Sequence, residues 1–139
     1  MYSIEDAIEQ IQAADIPTPI KSPLPTNELV ANYEAKLGFT FPTDYKKVLK
    51  EISNAFVGTL TLIKLRPSME TEYGELCDAI QRCAELGIPA GWLPICEDNA
   101  NFYLLTPHGT VQFWDHNGTN NEEWQTLAIW IRDVWLLEG

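Results

Sequence analysis

Three short apolar or β-branched runs, Leu93–Cys96, Phe102–Thr106 and Thr110–Trp114, are separated only by Glu97-Asp98-Asn99-Ala100-Asn101 and by Pro107-His108-Gly109. The Pro-His-Gly link reads as a hairpin turn with Gly109 where a positive φ is tolerated, so the last two runs are antiparallel neighbours and the block is a meander. What precedes the block has helical spacing. Ser3 caps a first helix with Asp6 in the capping-box position, and Ile4, Ile8 and Ile11 make its apolar face. Thr26 opens a second helix through Leu37, with Leu29, Val30, Tyr33 and Leu37 on one stripe and Gly38 at a left-handed C-cap. Thr43 is expected to cap a third helix that buries Tyr45, Val48, Leu49 and Ile52 and turns Lys46, Lys47 and Lys50 outward.

Between the first two helices, Pro17, Pro19, Pro23 and Pro25 forbid regular hydrogen bonding. This connector either wraps a surface or leaves the first helix loosely attached. Thr59 to Leu65, with Leu60, Leu62 and Leu65, alternates like a strand. From about Met69 to Leu86 a longer helix places Tyr73, Leu76, Cys77, Ile80, Cys83 and Ala84 on a stripe and stops at Gly87, with Pro89 just beyond. After the strand block, Asn120 or Asn121 is expected to cap a terminal helix. One of its stripes holds Trp124, Leu127, Ala128, Ile131 and Trp135, and a second holds Trp130, Val134 and Leu137. A helix apolar on most of its circumference is either engulfed or buries one stripe on another molecule.

The 139 residues suit one domain, 1–139, within which 1–25 form the N-terminal helix and Pro-rich connector. With 20 Asp plus Glu against nine Lys plus Arg the net charge is -11, which argues against direct nucleic-acid binding. The charge is lopsided. Residues 1–69 carry eight acids and seven bases, whereas residues 70–139 carry 12 acids and only Arg82 and Arg132. Such a half is either a solubility charge or a face for a basic partner. No run approaches the ~18 apolar residues of a membrane span, and the start, Met1-Tyr2-Ser3-Ile4-Glu5-Asp6, has neither a basic nor an apolar leader region. The expected location is the cytoplasm. Three cysteines, Cys77, Cys83 and Cys96, with no C-x-x-C pair, read as reduced thiols packed in the core.

Little catalytic chemistry is legible. Cys77, Cys83, Cys96, His108 and His116 include no pair at the short spacing that zinc sites use, so no metal is expected. Asp115-His116 supplies two members of a hydrolytic triad, but consecutive strand residues point apart and no nucleophile motif accompanies them. Glu97-Asp98 and Glu122-Glu123 read as solvated loop and helix-start charges rather than an acid/base pair. No Gly-rich phosphate loop or dinucleotide fingerprint is present, so no cofactor is expected. A binding protein remains by elimination.

The segment Leu29 to Leu49 resembles the signature of the SUKH superfamily, the bacterial toxin-immunity proteins that also include the Smi/Knr-type cell-wall regulators of fungi. In that signature a Glu-bearing helix ends at Leu-Gly, an apolar residue and Pro follow, and then Asp-Tyr and an apolar position. These are Glu34, Leu37-Gly38, Phe41-Pro42, Asp44-Tyr45 and Leu49. Trp92 to Cys96, Phe102 to Leu105 and Val111 to His116 look like the family's strand block. Two loops depart from the pattern, Asn54-Ala55-Phe56-Val57-Gly58 and Ala100-Asn101.

The resemblance implies an α+β fold, a single domain whose N-terminal helices and C-terminal helix pack on an antiparallel or mixed sheet. It also implies a cytoplasmic bacterial immunity protein, not an enzyme, that neutralises a cognate toxin, often a nuclease, by binding it. Nucleases present basic surface, which an acidic inhibitor meets with steered association. The expected contact residues are Glu97, Asp98, Asn99, Asp115, Asn117, Glu122 and Glu123, chosen for their clustering around the ends of the strand block. Two rivals stand: a regulatory scaffold like the fungal members, and a small hydrolase using His108 or His116.

Overall fold

The N-terminal helices form where their caps and stripes place them. A computed structural model describes residues 2–19, 21, 23–66, 75–115 and 118–138. Helix α1 (Ile4–Ala14) has the reciprocal Ser3–Asp6 capping box and buries Ile4, Ala7, Ile8 and Ile11. Helix α2 (Asn27–Leu37) is capped by the Thr26 side chain and ends at Gly38, whose φ of +82° is the left-handed cap that an L side chain would strain. Helix α3 (Thr43–Ile52) buries Tyr45, Val48, Leu49 and Ile52. Its cap is a correction: Pro42 holds the N-cap position, Thr43 is already helical, and no side chain closes that end. The fixed φ of proline sets the entry angle without a hydrogen bond.

The outward lysines of α3 tie the helices together. Lys47 pairs with Glu5 of α1, Lys46 with Glu34 of α2, and Lys50 donates to Asn27. Glu34 also accepts the Phe41 N–H at 2.6 Å, so this signature residue clamps the α2–α3 turn. The Pro-rich connector wraps rather than dangles. Ile16 donates to the Phe56 carbonyl, and the Asp15 carboxylate accepts the Phe56 N–H and pairs with Lys21.

The alternating run before Pro67 is not a continuous strand. It makes three single bridges to different partners: Val57 with Leu60, Leu62 with Cys96, and Lys64 with Glu75. Alternation marks an extended, half-buried segment, and the neighbours decide whether a ladder forms. Helix α4 spans Leu76–Glu85 and not 69–86. Glu75 is extended and caps the helix, accepting from the Cys77 and Asp78 N–H groups, while the expected helical stretch 69–74 lies outside the described residues.

Strands β1 (Leu93–Asp98), β2 (Asn101–Leu105), β3 (Val111–Asp115) and β4 (Gly118–Trp124) form one antiparallel sheet in the order β1-β2-β3-β4. The β1–β2 link is shorter than the sequence suggested. Asp98 pairs with Asn101 around a two-residue turn, with Asn99 at φ 53° and Ala100 at φ 66°, the left-handed pair of a type I′ hairpin. The second hairpin is as expected, with Gly109 at φ +89° and Thr106 N–H bonded to the Thr110 carbonyl at 2.8 Å.

Strand β4 corrects the terminal helix. Residues 118–124 pair with β3, so neither Asn120 nor Asn121 is a helix cap, and Trp124 belongs to a strand. Thr126 caps α5 (Leu127–Trp130), which continues through a π-helical turn (Ile131–Trp135) into α6 (Leu136–Glu138). In a regular α-helix positions five apart diverge by about 140°. The wider turn, closed by the Leu136 N–H to the Ile131 carbonyl, brings Trp130 and Trp135 together with ring centroids 6.4 Å apart, both fully buried. Leu127, Ile131 and Val134 are buried as well, so both stripes are engulfed and only Leu137 is strongly exposed. The Trp135 indole N–H donates to the Leu60 carbonyl, fastening this helix to the irregular segment.

Alternation sorts the sheet into two faces. Leu93, Cys96, Tyr103, Leu105, Val111 and Phe113 share one, where Tyr103 meets Phe113, Trp124 and Trp130. Glu97, Phe102, Leu104, Gln112 and Trp114 share the other, which α4 covers over β1 and β2 by laying the Arg82 guanidinium on the Phe102 ring.

Candidate functional site

The expected contact residues do not form one cluster. Asp98, Asn99 and Asp115 lie at one end of the sheet, at the β1–β2 turn and the end of β3. Glu122 and Glu123 lie on the edge strand β4, exposed, and Glu123 pairs with Gln112. Gln112 and Asp115 are three residues apart, which is about 10 Å of strand and opposite faces. The acids therefore make two patches. Asn117 and His116 lie outside the described residues. Glu122 and Glu123 are strand charges, not helix-start charges, because the terminal helix begins later.

Glu97 is a structural anchor rather than a solvated loop charge. Arg82 grips it with two parallel bonds, Nη1 to Oε2 at 2.8 Å and Nη2 to Oε1 at 2.7 Å, and gives its Nε to Asp78 at 2.9 Å. The Glu97 side chain is only 10% exposed. The hydrogen bonds it donates to Glu97, then to Asp78, hold the guanidinium above its ordinary pKa, so Arg82 stays charged. A partner could reach Glu97 only by breaking a fork-to-fork pair. Arg132 is likewise engaged, by Asp133. Both bases of the second half are thus committed to carboxylates of that half.

The three cysteines are buried free thiols. Burial pushes Cys83 and Cys96 up to about 12 and raises Cys77, the opposite of what a nucleophile or metal ligand needs. His108 sits in the β2–β3 hairpin with its backbone N–H bonded to Thr106 Oγ1. Among the described residues no group of three or more His, Cys, Asp or Glu is arranged to hold a metal ion. No described helix is long and apolar enough to cross a membrane.

One feature has no single-residue signal in the sequence. Where α4 ends, Ile88, Pro89 and Trp92 face Leu104, Gln112 and Trp114 across a cavity of about 250 Å³. Trp92 and Trp114 are each half-buried, and Gln112 donates to Glu123 at 2.8 Å on the rim. In the sequence these tryptophans stand out only as members of the strand block. Among the described residues α4 packs over Glu97 and the Phe102 ring, and the two tryptophans share the groove beside its end.

The order of helices and strands is one that a known structure shares. The family model SUKH_5, described as SMI1-KNR4 cell-wall, matches residues 4–136. The chain belongs to the SUKH family. A crystal structure of a protein from Pseudomonas syringae pv. tomato is similar to this SUKH domain, with 29% identity and a TM-score of 0.84. That match covers 96% of this chain and 98% of the other. No curated protein matches the chain. The SUKH signature residues have structural work here: Gly38 ends α2, Pro42 starts α3, and Tyr45 is core.

Proposed function

We propose that this SUKH protein is a bacterial immunity protein that works in the cytoplasm, binding a cognate toxin domain stoichiometrically and blocking it without catalysis. The observation that carries the reading is electrostatic. The half of the chain that builds the sheet holds 12 acids and two bases, and both bases are paired internally, so that half projects negative potential. A nuclease toxin must carry basic surface to hold phosphate, and complementary potentials raise the association rate and orient the encounter. Family membership and full-length likeness to a bacterial protein support the same reading. The contacting groups are Asp98, Asn99 and Asp115 at the sheet end and Glu122 and Glu123 on β4. Glu97 is left out because Arg82 holds it.

The test is co-expression with the toxin encoded beside the gene, scored by rescued growth and by a complex that co-purifies at fixed stoichiometry. Reversing Asp98, Glu122 and Glu123 to Lys slows association and flattens its dependence on salt. Unchanged kinetics would remove the acidic patches from the interface. The description SMI1-KNR4 cell-wall favours one second reading, a regulatory scaffold for other cytoplasmic proteins. In that case no toxin gene adjoins this one, and co-expression rescues nothing.

A further inference from the structure

We propose that the groove between the end of α4 and strands β2 and β3 is the anchor site of the interface. It takes one apolar side chain from a partner segment flanked by Lys or Arg. This deepens the immunity reading and rests on it.

Among the described residues, helix α4 lies on this sheet face over β1 and the Phe102 ring of β2, and the slot opens beside its end against β2 and β3. The chain after α4 turns back through Gly87, Ile88 and Pro89 to Trp92 and walls the slot on one side. The result is a slot of about 250 Å³ with Leu104 and Trp114 on its floor. Such a slot accepts a side chain rather than a flat surface. Two half-buried tryptophans supply rigid apolar area that costs little conformational entropy to use, the residue type in which binding energy concentrates. The β3–β4 pairing shifts register between Gln112 and Trp114, both of which line the slot. Bulges of this kind re-aim side chains and recur beside functional sites.

Charge selects the occupant. Beside the slot runs the acidic edge strand β4, where Glu123 is exposed and bonded to Gln112 in the slot wall, and Glu122, also exposed, is its neighbour along the strand. No Lys or Arg occurs between Arg82 and Arg132, and both arginines are already paired with carboxylates. A second copy docking symmetrically would bring these acids against one another, which destabilises an interface. A nucleic acid would meet the same repulsion. A protein segment with an apolar residue between basic ones satisfies both the slot and its rim.

The test uses the purified, catalytically inactivated toxin domain encoded beside the gene. Its affinity is measured by calorimetry for the wild type and for Trp92→Ala and Gln112→Arg, with urea midpoints checked for each. Both variants are expected to bind at least ~30-fold more weakly, the scale of a hot spot. The wild type adds a readout independent of mutant folding. On complex formation the indole N–H resonances of Trp92 and Trp114 shift and their fluorescence becomes shielded from acrylamide, while Trp130 and Trp135 do not change. If the wild type binds but folded variants lose less than threefold and both indoles stay accessible, the groove is not the anchor although the immunity reading stands. If the wild type forms no complex with the toxin, the immunity reading fails and the groove assignment falls with it. Self-association through this face, seen as a dimer that Gln112→Arg disrupts, would also overturn the proposal.

Discussion

Tyr33 and Tyr45 offer the same chemical deletion in two opposite settings. Both are buried, with 0% and 2% of their surface exposed. The Tyr33 hydroxyl donates toward the fully buried Glu75 at 2.5 Å, accepts the Arg66 N–H at 2.8 Å, and lies 2.8 Å from the Arg66 carbonyl. Burial, then the bond to Glu75, raises its pKa, so it remains a donor at any working pH. The Tyr45 hydroxyl is buried with no hydrogen-bond partner among the described residues. Tyr33→Phe removes a hydrogen bond to a charged group, about 1.5–3 kcal/mol, and leaves the Arg66 N–H unsatisfied for about 1 kcal/mol more. We expect a loss of about 3 kcal/mol. Tyr45→Phe removes a hydroxyl whose unpaired burial costs about 1–3 kcal/mol, so it is expected to stabilise by about 1 kcal/mol. Equilibrium urea unfolding at pH 7 reads both, with an unchanged slope showing that only stability moved. Shifts of the same sign, or a difference under about 1 kcal/mol, would refute the claim that partnering rather than burial sets the value of a tyrosine hydroxyl here.

Three further outcomes are expected. Ala100→Gly relieves a left-handed alanine in the β1–β2 turn, and after glycine's extra chain entropy it should add about 0.5–1 kcal/mol to the urea unfolding free energy. At pH 8 Ellman's reagent should leave the native thiols unmodified for minutes and titrate three in urea, because burial holds Cys83 and Cys96 at about 12 and raises Cys77; fast labelling of any native thiol would contradict this. Burial alone would raise the Asp15 pKa, but Lys21 and the Phe56 N–H together hold it below the ordinary value. A carboxylate lowered in the folded state contributes stability above its unfolded pKa and loses it as pH falls, so urea midpoints should hold from pH 7 to 5 and drop below about pH 4. Asp15→Asn should shallow that drop, and an unchanged profile would show that Asp15 does not contribute.

Most of the architecture was legible because its signals are local. Ser3, Thr26 and Gly38 cap helices through bonds to residues three or four positions away, and the stripes of α1 and α3 are written in spacing alone. The SUKH signature was legible for the same reason, since Glu34, Gly38 and Pro42 act within one helix–turn–helix unit. Where the reading failed, a distant partner decided. Residues 118–124 carry Asn and Glu, which propensity assigns to a helix start, yet pairing with β3 makes them a strand. Glu97 looked like a loop acid until Arg82, fifteen residues earlier, was found to hold it.

Local signals alone establish the first three helices, the meander, the SUKH family and a second half with an excess of acid, because caps, turns, periodicity and charge are properties of neighbours in the chain. Tertiary structure alone decided which acids reach solvent. It also decided that the acids divide between two sheet faces and that Trp92 and Trp114 share a groove beneath the end of α4. The reason is geometric: a strand sends successive side chains to opposite faces, and which face is covered depends on how far a helix elsewhere in the chain extends.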